Sequence, residues 1–249
     1  MVIGLKITHL AFFRVILFLL LISATIIFFS VIGLFIKKDE FSDSSVVGVS
    51  ATSPITIIID AGHGGEDGGA VANGVVEKDI NLAIAKSLRA YIETSNLSYD
   101  MTREEDVLLY NDHEKNNKKR YDLLNRIKIG NSYHSAIFIS IHQNKFEIPK
   151  YKGLQVYYSV NNHNSEKIAA LIQCKSKIYL DNDNNRETKP ADYRIKVLDS
   201  LQIPAVLVEC GFLSNPEEAE LLSDKNYQNR IALIIYLSIV EFLENNGEL

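Results

Sequence analysis

Cysteine is scarce in this chain. Its 249 residues include two, Cys174 and Cys210, too few for the disulfide framework on which small secreted scaffolds rely. Neither follows the N-terminal apolar run closely enough to be a lipid-modified residue. Both are expected as small buried thiols, with a bridge between them left open by the sequence. An excess of basic charge is also missing: 26 Lys and Arg against 31 Asp and Glu give a net charge of −5. Nucleic-acid binding needs clustered cations to displace phosphate counterions and is therefore not expected. There is no internal repeat and no low-complexity tract, and 47% hydrophobic with 23% charged residues is the composition of a folded protein. A local HExxH pair is absent too, so any metal site must be assembled from separate parts of the chain.

What is present begins with a long apolar run. Residues 15–36 carry no charge and are rich in Leu, Ile and Phe. At about 1.5 Å per residue, a helix of that length matches a hydrocarbon core of roughly 30 Å. Arg14 closes one end and Lys37-Lys38 the other, and no Ala-x-Ala exit follows. The reading is an uncleaved membrane anchor over residues 1–36; cleavage as a signal sequence would instead leave a secreted protein. Lys6, Arg14 and the amino terminus against Lys37 and Lys38 bias the N-terminus inward, which puts the rest of the chain outside the cytoplasm. Residues 37–53 are small and polar and read as a tether, leaving 54–249 as one folded domain.

That domain alternates strand-like and helix-like segments. Strands are expected at 55–60, 98–102, 136–141, 153–159, 193–198 and 205–209. Helices are expected at 77–94, 118–132, 165–180, with Ile178 facing inward, and 226–244. The run Ile55-Thr56-Ile57-Ile58-Ile59-Asp60 lacks polar alternation, as in a strand buried on both faces. The fold class is α/β: a mixed, mostly parallel sheet with helices on both faces, preceded by one N-terminal transmembrane helix.

Polar residues gather where strands end, the side of an open α/β sheet on which ligands bind. His63 follows the first strand in Asp60-Ala61-Gly62-His63-Gly64-Gly65, and His142 closes the strand at 136–141. Glu209 closes the strand at 205–209, and Glu77 opens the first helix. Two imidazoles and a carboxylate are common donors to a catalytic zinc with one open position, where the pKa of water falls to about 7. A carboxylate off the metal must then move the proton to the leaving nitrogen. Glu209 suits that role, because an unpaired carboxylate is costly in so apolar a strand. Taken singly, each histidine is more readily a structural residue and Glu77 a first-turn acid favoured by the helix dipole. His113, His134 and His163 lie in polar contexts and are read as surface residues.

The run from Asp60 through Gly68-Gly69-Ala70 resembles the opening motif of the N-acetylmuramoyl-L-alanine amidase 3 family. Glu77-Lys78-Asp79-Ile80-Asn81-Leu82, Thr102-Arg103-Glu104-Glu105-Asp106, Ser140-Ile141-His142-Gln143-Asn144 and Val208-Glu209-Cys210-Gly211-Phe212-Leu213-Ser214-Asn215 resemble later motifs, in family order. The resemblance implies one zinc ion, Zn2+, on His63, Glu77 and His142, with Glu209 as catalytic carboxylate. It implies water attack on the lactyl carbonyl of peptidoglycan and release of the L-alanine amine. Arg126 matches a family arginine for which a structural role is expected. The size and the anchor look most like the sporulation branch, the germination-specific amidases, which strip peptide from muramic acid in spore cortex on the way to muramic-δ-lactam. That branch would place the domain between the forespore membranes, with any accessory protein unidentified. The stretch 159–165 is too short for the site-blocking helix other branches insert. Lys145-Phe146 departs from the small residue usual after His142-Gln143-Asn144. The alternatives are a zinc peptidase cutting within the stem peptide and a non-catalytic wall-binding protein.

Overall fold

The computed structural model describes residues 55–95 and 97–249, together with Phe18, Ile22 and Ser23. Those three apart, the expected membrane helix and tether lie outside the described residues, among which no helix is long and apolar enough to cross a membrane.

The unit Ser53–Leu249 is built on one sheet. Its strands are β1 (Thr56–Ala61), β4 (Ser98–Met101), β5 (Ala136–Asn144), β6 (Gln155–Tyr158), β7 (Lys189–Pro190) and β8 (Ala205–Phe212), in spatial order β4-β1-β5-β8-β6-β7. All pairings are parallel except β6 against β8, so the expected mixed, mostly parallel sheet is what forms. The helices are α1 (Glu77–Glu93), α2 (Lys118–Asn131), α3 (His163–Tyr179), α4 (Lys196–Ser200), α5 (Pro216–Ser223) and α6 (Lys225–Asn245).

The central strands are apolar on both faces because both are covered. Ile57, Ile59, Ile139, Val206 and Val208 pack with Ile84 and Leu88 of α1, Ile168 of α3 and Ile235 of α6. The next residues along each strand point the other way: Ile58, Phe138, Ala205 and Leu207 meet Val197 and Leu198 of α4, with Leu123 and Ile127 of α2 against them. Phe138 is fully buried in this second layer.

Several expectations are corrected. Residues 193–198 are not a strand. Asp192 accepts the backbone N–H of Arg194 on its side chain and that of Ile195 on its carbonyl, and the turn so formed leads into α4. Val197 and Leu198 are buried by that helix, so the alternation that suggests a strand has another cause. Ile178 sits near the end of α3 and is exposed. Cys174 is exposed and only Cys210 is buried, and both are free thiols, which excludes a bridge between them. The short strand β7 and a 3-10 turn at Asp112–Asn117 go unforeseen, and so do two elements with clear local causes. One is the hairpin β2 (Val71–Ala72) and β3 (Val75–Val76), whose Asn73-Gly74 turn has both φ values positive, at 51° and 76°. The other is α5, where Asn215 caps the N-terminus and Pro216 stands in the first turn. Between β6 and α3 lie only residues 159–162, with no room for an inserted helix.

Candidate active site

β1, β5 and β8 are neighbours running the same way, so their carboxyl ends open onto one crevice. His142 on β5 is in direct register with Glu209 on β8, and paired residues leave the same face of a sheet. That face is the one covered by α2 and α4. A cleft of about 190 Å³ opens there, lined among others by His63, Asp67, Lys119, Arg126 and His142.

His63 lies just past β1 with φ of +60°, a conformation few non-glycine residues hold without support from their surroundings. The support is extensive. Gly64 and Asp67 exchange two backbone hydrogen bonds of 3.0 and 2.9 Å, which fold the loop back on itself. From below, two buried arginines hold its carbonyls. Arg103 Nε donates to the Ala61 carbonyl (2.8 Å) and Nη2 to that of Gly62 (3.1 Å). Arg126 Nη1 donates to the Ala61 carbonyl and Nη2 to that of His63, both at 2.8 Å. Arg126 also donates to Asp60 Oδ1 (2.5 Å) and, through Nε, to Asp122 Oδ2 (2.8 Å). The structural role expected of Arg126 is this anchoring.

Three of the expected residues converge. His63, Glu77 and His142 each offer a ligand atom, all within 4.8 Å of one another. His142 Nδ1 lies 2.9 Å from Glu77 Oε1, and His63 Nε2 lies 3.3 Å from the same oxygen. The imidazole rings meet edge to face with centroids 5.0 Å apart. Glu77 is the first residue of α1, and its own carboxylate is fixed by the backbone: Oε2 accepts the Ala70 N–H (2.7 Å) and Oε1 that of Gln143 (3.0 Å). The chain is also pared down here. A Cβ on Gly62 would overlap the His142 ring, and one on Gly69 would stand 2.5 Å from Glu77 Oε2.

Charges within the cluster reinforce one another. Burial alone would lower the His63 pKa, but Glu77 and Asp67 outweigh it and raise the value to about 9. Burial would raise that of Glu77, but hydrogen bonds from both histidines hold it far below the usual carboxylate range. Glu209 differs. Burial pushes its pKa up to about 7, with Glu77 adding to the rise and the histidines opposing it. Its Oε2 is enclosed and accepts no hydrogen bond from the described residues. A buried oxygen left without a donor is rare unless something else is meant to meet it.

His113, His134 and His163 are exposed, as expected. Sequence reasoning passed over Asp67 and Arg103, although both stand inside the motifs it quotes. Asp67 Oδ2 is 2.8 Å from His63 Nδ1, so His63 is left to present Nε2 to the cluster. Asp67 Oδ1 in turn accepts from Lys119 Nζ (2.7 Å).

Residues 57–241 match the family described as N-acetylmuramoyl-L-alanine amidase. The chain is 35% identical over 222 residues to the germination-specific N-acetylmuramoyl-L-alanine amidase of Bacillus subtilis (strain 168), spanning 88% of this chain and 93% of that one. Among solved structures it is similar to the CwlD amidase from Clostridioides difficile in complex with the GerS lipoprotein. That match has 44% identity and a TM-score of 0.73, covering 76% of this chain and 98% of the other. The amidase AmiC2 of Nostoc punctiforme matches at 30% identity and a TM-score of 0.65, over 76% and 97%. With a family match across nearly the whole described unit and curated relatives of the same activity, the chain belongs to the N-acetylmuramoyl-L-alanine amidase family and is an amidase acting on peptidoglycan.

Proposed function

We propose that the protein is a zinc-dependent amidase that cuts the bond between N-acetylmuramic acid and L-alanine in spore cortex, on the route to muramic-δ-lactam. The carrying observation is the meeting of His63, Glu77 and His142 beside a carboxylate oxygen that no described residue satisfies. The donor set fits zinc. Tetrahedral nitrogen and oxygen donors at about 2.0–2.2 Å from the ion stand roughly 3.3 Å apart; here the two histidine–Glu77 separations are 2.9 and 3.3 Å, and all three donors lie within 4.8 Å of one another. His63 would use Nε2, His142 Nδ1 and Glu77 Oε1.

When bound, zinc supplies a Lewis acid that makes hydroxide available near neutral pH and polarises a carbonyl. The rest falls to the chain. Glu209 Oε2 takes one proton as water oxygen adds to the lactyl carbonyl carbon, then gives that proton to the amide nitrogen as the C–N bond breaks. A pKa near 7 suits a group that must both accept and donate. Asp67 holds the His63 ring in one tautomer through Nδ1.

Likeness to a germination-specific enzyme over 93% of its length supports the sporulation setting. The apolar run 15–36 supports a membrane anchor with the catalytic domain outside the cytoplasm. A relative's complex with a lipoprotein supports an accessory partner of that kind.

The test is to incubate the purified chain with peptidoglycan, with zinc or with a chelator, and identify products by mass spectrometry. Free L-alanyl peptides and unsubstituted muramic acid, lost on chelation and restored by zinc, are expected. Shortened stems still joined to muramic acid would refute the bond assignment.

A further inference from the structure

On the side of Glu209 away from the histidines, the sheet carries a second polar arrangement. Gln155 stands opposite Glu209 in the antiparallel β6–β8 pair, so both side chains leave the same face. After the His142–Glu209 pair the register slips, and Asn144 pairs with Phe212 where unbroken pairing would place Gly211. The extra residue in β8 turns Phe212 to the face that carries His142 and Glu209.

Arg186 lies against Gln155 and Phe212. Its guanidinium carbon is 4.4 Å from the centroid of the Phe212 ring. Its Nη1 donates to Gln155 Oε1 (3.2 Å) and its Nε to the Lys152 carbonyl (2.7 Å). Stacking and two directed bonds fix the plane of the group, while Nη2 donates to none of the described residues. The neighbouring carboxylate, Glu218, is committed to the backbone N–H groups of Phe212 (2.7 Å) and Gly153 (2.9 Å). Beyond Phe212, Tyr151 and the exposed Phe146 continue an aromatic edge, with centroids 6.4 and 4.9 Å apart in turn. The side-chain contacts of Arg186 are with Gln155, Lys152 and Phe212, and none is with His63, Glu77, His142 or Glu209.

We infer that Arg186 recognises a carboxylate on the peptide side of the substrate, a residue or so beyond the amide that is cut; the inference rests on the amidase reading above. The substrate's own chemistry selects that side. Near the bond the glycan is uncharged, because the lactyl carboxyl is tied up in the amide. The first free carboxylate on the peptide side is the α-carboxyl of the D-glutamyl residue that follows L-alanine. A chain of net charge −5 offers such a group no general attraction, so holding it calls for a local cation, and Arg186 with Lys150 and Lys152 beside it supplies one. A planar guanidinium with Nη2 and the second Nη1 hydrogen free matches a carboxylate in two-point fashion.

The experiment uses the full zinc-loaded chain and glycan strands whose stem peptides differ only at that α-carboxyl, left free or converted to the carboxamide. The wild type should release the free-acid peptide with kcat/KM about tenfold higher, the difference residing in KM. Arg186→Gln should bring the free acid down to the level of the carboxamide while leaving the carboxamide rate in place. Arg186→Lys should retain part of the preference. Equal rates on both strands for the wild type would overturn the inference without reference to any variant, and so would an Arg186→Gln chain that loses rate equally on both. Release from neither strand by the wild type would overturn the amidase reading instead.

Discussion

Glu209 carries a charge only at a cost, since its enclosed oxygen has no donor among the described residues. The cost is sensible if the oxygen meets a water during turnover. Glu209→Gln keeps the shape and removes the proton acceptor. Turnover should fall by about 10²–10⁴-fold, as for loss of a general base, with bound metal unchanged by elemental analysis. Metal lost along with activity would make Glu209 a ligand instead. The glycines are as demanding as the donors. Gly62→Ala places a methyl group where the His142 ring lies, so the variant should fold by circular dichroism yet bind zinc poorly. Normal metal content would mean that the ring has room to move aside. The meeting of His63, Glu77 and His142 was legible in the sequence because chemistry confines such donors to few residue types, here at strand ends and a helix start. Asp67 and Arg103 were not, since a carboxylate behind a histidine and an arginine beneath a loop are defined only by what they touch.

The loop after β1 is held by α2 through one buried arginine. Burial on its own would raise the Asp60 pKa, but Arg126 beside it, with hydroxyls of Ser140 and Thr102, keeps it below the usual carboxylate range. A depressed carboxylate contributes stability that is present above its unfolded pKa of about 3.9 and is lost as pH falls through the lower native value. Denaturant unfolding should therefore weaken below about pH 4, and less steeply in Asp60→Asn, whose stability is already lower at neutral pH. Arg126→Met leaves the Asp60 charge buried and unpaired and should cost about 3–5 kcal/mol by the same measurement. A change under 1 kcal/mol would mean that the loop holds itself. At this scale the sequence was readable where the apolar pattern had one cause, as along β1, β5 and α6. It misled at 193–198, where an aspartate turn decides the backbone and the alternation is incidental. The hairpin at Asn73-Gly74 and the cap at Asn215 had recognisable local marks, and both were overlooked.

Across the whole unit, the donors belong to segments far apart in the chain, so a zinc ion held as proposed would bind the native arrangement and find little to bind in an unfolded one. A ligand at about 100 times its Kd adds roughly 2.7 kcal/mol to stability. For a unit of this size that corresponds to a rise in Tm of about 5–10 °C, readable by calorimetry with and without chelator. No shift would mean that the three donors do not hold the ion together. The layered α/β plan was visible from composition and alternation, whereas the strand order was not, because pairing between distant segments leaves no local mark. That order has a kinetic side. Ala61 pairs with Ile141, and His142 pairs with Glu209, so the crevice exists only once two long chain excursions have closed. During refolding, helix content should recover first and metal uptake last, which makes the ion a clock for the final stage of assembly.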